Sequence, residues 1–212
     1  MGRMEDQRQL RPEEIERDSM EIIGREMPAG DWSPGELAVV KRCIHASADF
    51  DYAANLYFSA GAVEQALEAL KNGAGIVTDT NMAAAGINQR VLKRLGGSVH
   101  CFMAEEDVAE EAKKRGVTRA TVSMERAARL AGPMIFAIGN APTALLCLDG
   151  LIRTEAIRPA LVIAVPVGFV NVTESKERIL TAGVPCIIAR GRKGGSTIAA
   201  AICNALLYQL TR

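Results

Sequence analysis

Two histidines are present, His45 and His100, and the first is the more informative. His45 follows Arg42 by three positions in a stretch of helical period. The two side chains therefore share one helix face, roughly 5–6 Å apart at Cβ. Histidine titrates near neutral pH and can donate one proton and recover it. The plainer alternative is a partly buried histidine bonded to a backbone carbonyl, and spacing alone leaves both open. His100 falls within a strand and reads as structural. Neither histidine belongs to a Ser/His/Asp or Cys/His local signature, so a hydrolase is poorly supported.

A second concentration of chemistry is cationic. Arg190, Arg192 and Lys193 crowd beside the glycines of the stretch Gly191–Thr197. The order required of a phosphate loop is missing, because Lys193 precedes the glycine pair, and no GxGxxG stands at a strand-to-helix turn. A nucleotide-dependent enzyme is therefore disfavoured, whereas a ligand with several carboxylates would suit three adjacent cations. The stretch Asn140-Ala141-Pro142-Thr143 offers a second polar strand exit. Pro142 suits a first helical turn, and Asn140 can cap the helix, contact a ligand, or do both. The five cysteines, at 43, 101, 147, 186 and 203, are scattered and form no CxxC pair. With two histidines beside them, no metal site is expected.

These groups must be placed by elements that the sequence also announces. Ile15, Ser19, Ile22, Ile23 and Met27 recur at helical spacing after Pro12. Ser33, Pro34 and Glu36 form a capping box for a second helix with Leu37, Val40, Cys43 and Ile44 on its apolar face. A third helix is expected over Ala60–Lys71, ending at Asn72-Gly73. From Gly75 onward, apolar runs alternate with amphipathic segments. The runs are Ile76–Thr78, Ser98–Phe102, Met134–Ile138, Leu161–Val165 and Cys186–Ala189. The segments include Val108–Arg115, Arg119–Leu130, Ala141–Leu148, Thr173–Leu180 and Ser196–Leu210. Strands without polar alternation are buried on both faces. The expected fold is α/β: a three-layer α/β/α arrangement with a mostly parallel sheet of about five strands and extra N-terminal helices. One domain is expected over residues 1–212, with a helical part, 1–72, packed on a sheet core, 73–212. Ligands of such sheets bind at the carboxyl ends of the strands, so the polar segments there are the places to search.

The whole composition narrows the partners. The chain has 212 residues, with 25 Lys plus Arg against 25 Asp plus Glu, and aromatics at 4%. A basic excess and stacking platforms are both missing, so nucleic acid is not expected as a partner. The run Ala160–Val170, broken at Pro166, is far short of the roughly 20 residues of a membrane span. Met1–Arg17 is charged and contains no apolar signal segment. With unpaired cysteines, this reads as a cytoplasmic protein.

Several stretches, in register, resemble the precorrin-8X / cobalt-precorrin-8 methylmutases. They are Ile15–Ile23, Arg42-Cys43-Ile44-His45, Thr80-Asn81-Met82 with Gly86-Ile87, and Ala137–Leu145. The series continues with Pro166–Val170, Glu174-Ser175-Lys176, Gly183-Val184-Pro185 and Arg190–Ser196. The resemblance runs from about Pro12 to the C-terminus. Met20 departs from it, where an aromatic is usual after the serine. The resemblance implies an isomerase of cobalamin biosynthesis that moves a methyl group on ring C to the adjacent carbon by a 1,5-sigmatropic shift, without an external cofactor. The product would be hydrogenobyrinate, or cobyrinate when cobalt is already present. The same likeness implies His45 as proton donor and acceptor, Ser19 and Arg42 as substrate contacts, and paired subunits. The macrocycle's acetates and propionates would then suit Arg42, Arg119, the Arg190–Lys193 cluster, and the helix starts near Asn140, Thr143 and Ser196. A non-catalytic tetrapyrrole carrier on the same scaffold is the alternative. No residue reads as a cobalt ligand, and the cobalt-containing substrate is preferred to the metal-free one.

Overall fold

A computed structural model of the chain describes residues 11–211. Of the charged start expected over Met1–Arg17, residues 1–10 lie outside the described residues. In chain order the elements begin with α1 (Pro12–Glu26), α2 (Pro34–Ser47), α3 (Tyr52–Asn55), β1 (Leu56–Phe58), α4 (Ala62–Lys71) and β2 (Gly75–Thr78). They continue with α5 (Asn81–Gly86), α6 (Gln89–Arg94), β3 (Val99–His100), α7 (Glu106–Arg115), α8 (Arg119–Ala127) and β4 (Met134–Ile138). The last are α9 (Pro142–Arg153), β5 (Leu161–Ala164), α10 (Val172–Leu180), β6 (Cys186–Ala189) and α11 (Ser196–Gln209).

The sheet has six strands in the order β1-β6-β5-β4-β2-β3. β2, β3, β4, β5 and β6 pair in parallel, and β1 adds to β6 antiparallel. This strand is one more than the sequence runs indicated, and it arises in the part expected to be helical. Leu-Tyr-Phe is too short to show a period, and it becomes a strand because β6 offers it a partner. The run Ser98–Phe102 contracts to Val99–His100 for the opposite reason, since β2 alone flanks it.

Successive residues of each central strand enter different cores. Ile135 and Ala137 of β4 join Val39, Val40, Ile44, Leu70, Ile198 and Ile202, from α2, α4 and α11. Phe136 and Ile138 join Met124, Leu145, Leu148 and Ile179, from α8, α9 and α10. Helices cover both sheet faces, which is why β2, β5 and β6 are buried at every position. The N-terminal helices share the first core, with Ile23 of α1 against α2.

Two helix placements matter for the site. The capping box of α2 forms as expected: the Ser33 N–H donates to the Glu36 carboxylate at 2.8 Å, and the Glu36 N–H donates to Ser33 Oγ at 3.3 Å. α2 then packs along α11 with its start beside the end of that helix, where Gln209 Nε2 donates to the Gly35 carbonyl at 3.3 Å. The end of α2 consequently reaches the carboxyl edge of the sheet, where α11 begins. Among the described residues, no helix is long and apolar enough to cross a membrane.

Candidate active site

The order of the sheet reverses between β2 and β4: the chain goes outward from β2 to β3 and returns on the other side with β4. Loops leaving strands on either side of such a point part and leave a crevice. Here one carboxylate ties the two loops together. Asp79, directly after β2 and fully buried, accepts the backbone N–H groups of Gly139, Asn140 and Ala141 at 2.9, 2.7 and 2.6 Å. Burial raises its pKa above the usual carboxylate value, and the three N–H donors oppose that shift. Asn140 therefore does not cap α9. Ala141 is the cap residue, and the Asn140 side chain is exposed. Gly139 has no room for a side chain, since a Cβ there would stand 2.7 Å from Ser196 Cα at the start of α11. Beside it, Thr80 Oγ1 and Ser196 Oγ are 2.7 Å apart and hydrogen-bonded.

The cations after β6 separate into two roles. Lys193 Nζ sits 2.6 Å from both Asp49 and Asp51, just beyond α2. It is an internal tie, which corrects the expectation of three ligand-binding cations in a row. Its hydrogen bond holds the Asp49 carboxyl below the usual range and raises its own pKa. Arg190 lies over the Tyr57 ring at 4.9 Å and Arg192 over Phe169 at 5.3 Å. Both are exposed and, among the described residues, in no ion pair.

His45 lies in the last turn of α2, which ends at Ala48 in a left-handed conformation, φ 54°. Its imidazole is exposed and makes no hydrogen bond among the described residues. The alternative of a partly buried histidine bonded to a carbonyl is thereby set aside. Arg42, one turn earlier, is half-buried rather than bare. Its Nη2 donates to the Glu16 carboxylate at 2.8 Å, and its guanidinium lies 5.2 Å from the Tyr208 ring centre. Ser19, on α1, donates its hydroxyl proton to the Ile15 carbonyl at 2.7 Å. Ser19, Arg42 and His45 thus belong to one group on α1 and α2. Arg119, Asn140 and Thr143 form another, in which Thr118 Oγ1 donates to Thr143 Oγ1 at 3.1 Å and Arg119 is exposed. α11 joins the two, packing on α2 and starting against Gly139. His100 is held by Ser98 at 2.8 Å, consistent with a structural role.

Two residues of this edge were not singled out from sequence. Asp79 had a signal, as an acid directly after a wholly apolar strand. Lys176 had one too. Its spacing from Val172 and Ile179 puts it on the buried face of α10, where it is fully buried and donates to the carbonyls of Gly191 and Lys193 at 2.8 and 2.9 Å. Among the described residues, no group of three or more His, Cys, Asp or Glu side chains is arranged to hold a metal ion.

Comparison with known proteins adds independent findings. A family model described as precorrin-8X methylmutase matches residues 14–209. A cobalt-precorrin-8 methylmutase from Leptospira interrogans is 46% identical over 201 residues, covering 91% of each chain. A precorrin-8X methylmutase from a Sinorhizobium species is 37% identical, covering 89% of this chain and 90% of its own. The crystal structure of precorrin-8X methyl mutase from Thermus thermophilus superposes with a TM-score of 0.84 at 43% identity, covering 92% of this chain and 96% of that one.

Proposed function

Because the chain belongs to the precorrin-8X methylmutase family, we propose that it acts on a precorrin-8 macrocycle at the carboxyl edge of its sheet, with His45 as the proton donor and acceptor. The protein is an isomerase of corrin-ring biosynthesis. The single observation that carries the site is the exposed imidazole of His45 at the end of α2, whose ring nitrogens have no hydrogen-bond partner among the described residues.

The chemistry asks little of the protein in covalent terms. A methyl group leaves one ring-C carbon and joins its neighbour, and substrate and product have the same atoms. No nucleophile is consumed. Protonation of the conjugated ring makes it electron-poor and lowers the barrier, and the same imidazole takes the proton back. General acid help of this kind is worth about 10²–10⁴-fold in rate. Peripheral carboxylates meet Arg190 and Arg192, with Arg119, Asn140 and Thr143 further along the edge. Ser19 and Arg42, on α1 and α2, are the further substrate contacts, with Arg42 also held by Glu16 and Tyr208. Nothing in the geometry favours a carrier that binds without turnover.

The cobalt-containing substrate is the preferred one, in line with the names of several of the matched relatives. Incubating the protein separately with cobalt-precorrin-8 and precorrin-8 while recording the absorption spectrum tests both points. The methyl shift changes the conjugation, so turnover is visible directly. Absence of spectral change with either substrate refutes the assignment.

A further inference from the structure

Three acidic or basic side chains are buried among the described residues: Asp79, Asp149 and Lys176. Asp149 is neutralised by Arg153 at 2.7 Å and Arg178 at 3.4 Å. Asp79 is satisfied by its three N–H groups. Lys176 differs from both. Among the described residues no carboxylate pairs with it, and its ammonium donates instead to two backbone carbonyls of the loop after β6. Burial alone pushes it down to about 8. Taking an ammonium out of water without a counter-charge is costly. A position that keeps one gains something from the loop that it holds.

That loop is unusual in how completely its backbone is tied. Besides the two bonds from Lys176, the Arg190 N–H donates to the Asn55 carbonyl at 2.8 Å. The Gly168 N–H donates to the Arg192 carbonyl at 3.2 Å, and the Gly195 N–H to the Val165 carbonyl at 2.8 Å. The loop needs such ties, because Gly191, Gly194 and Gly195 all have positive φ, at 73°, 156° and 129°. Left alone, glycines sample many conformations. What the tied loop displays is the pair of exposed guanidinium groups, each lying on an aromatic ring and each, among the described residues, without an acid partner.

We propose that Lys176 is a positioning residue for substrate binding: by clamping the carbonyls of Gly191 and Lys193 from within the core, it holds Arg190 and Arg192 ready for carboxylates on the macrocycle rim. The proposal rests on the methylmutase assignment. A preformed pair of cations binds without paying the ordering entropy of a loose loop at the moment of encounter. His45 is on a different element, so the clamp acts on binding and not on proton transfer.

Steady-state kinetics with whichever precorrin-8 substrate the wild type converts will test it. Lys176→Met is expected to raise KM about tenfold or more while kcat stays within about threefold, roughly the loss of one charge-assisted contact. Arg190→Ala/Arg192→Ala is expected to raise KM similarly, and adding Lys176→Met to it is expected to raise KM little further. Should Lys176→Met fail to fold, Gly191→Ala strains the same loop from its open side, where a Cβ meets nothing within 4 Å, and must give the same split. An unchanged KM in the arginine pair, a fall in kcat at constant KM, or full additivity overturns the proposal. A wild-type protein that converts neither substrate refutes the assignment itself, a result distinct from all three.

Discussion

At the scale of the residue, exposure decides what His45 can do. A histidine whose nitrogens are unoccupied by protein groups is available to a ligand. His45→Ala is therefore expected to lower kcat by about a hundredfold or more and to leave the affinity for product within a few-fold. Stopped absorption assays together with product titration check this, and near wild-type turnover by the folded variant refutes it. The thiols show the opposite effect of environment. Burial pushes Cys203 up to about 12 from an ordinary value near 9. Between those values the unfolded chain has released the proton and the folded chain retains it, so stability falls as pH rises from 9 toward 12, by about 1.4 kcal/mol per unit for one thiol. Urea unfolding under reducing conditions at pH 8 and pH 10 is expected to show a shallower decline for Cys203→Ala than for wild type. Equal declines would mean that Cys203 is not shielded in this way. The types and spacing of Arg42 and His45 were legible in the sequence. The partner of Arg42 was not, because Glu16 stands 26 positions away and meets it only once α1 lies against α2.

At the scale of the element, single side chains join segments that the chain keeps far apart. Asp79 joins the exits of β2 and β4. Asp79→Asn would replace one acceptor oxygen by a donor facing N–H groups. A loss of about 2–4 kcal/mol is expected, read as a lower urea midpoint, and a shift under 0.5 kcal/mol, about the level of an inconsequential surface change, would contradict this account of the tie between the two strand exits. Glu16 and Arg42 join α1 to α2 through a half-buried pair. A double-mutant cycle with Glu16→Ala and Arg42→Ala is expected to give a coupling of about 1 kcal/mol in stability. Zero coupling would make the pair a solvated contact. The long elements were legible because their signals are local: the capping box at Ser33, the buried runs of β4, β5 and β6, and the cap at Asn72-Gly73. β1, α3, α5 and α6 were not, since three to six residues show no period. The same limit hid the clamp on the loop after β6. The face of α10 that carries Lys176 can be read from spacing, but the carbonyls that it meets cannot.

At the scale of the whole molecule, the carboxyl edge carries apolar groups in water as well as cations. Phe169 and Val170 are 82% and 77% exposed in the single chain, adjacent apolar side chains of the kind a partner surface covers. Paired subunits, which the family resemblance implies, would supply a cover. Light scattering is expected to give about twice the 22.7 kDa chain mass, and Val170→Asp to weaken the association. A fully active monomer at working concentration would contradict this. The two outermost strands limit how such pairing can occur. β1 has three residues and β3 two, so each outer edge offers another strand only a few unpaired N–H and C=O groups. A second copy gains little by extending the sheet, so a pair is expected to form through loops and helix faces. The same brevity guards against edge-to-edge aggregation, a hazard for a sheet this rich in valine and isoleucine while it waits to fold.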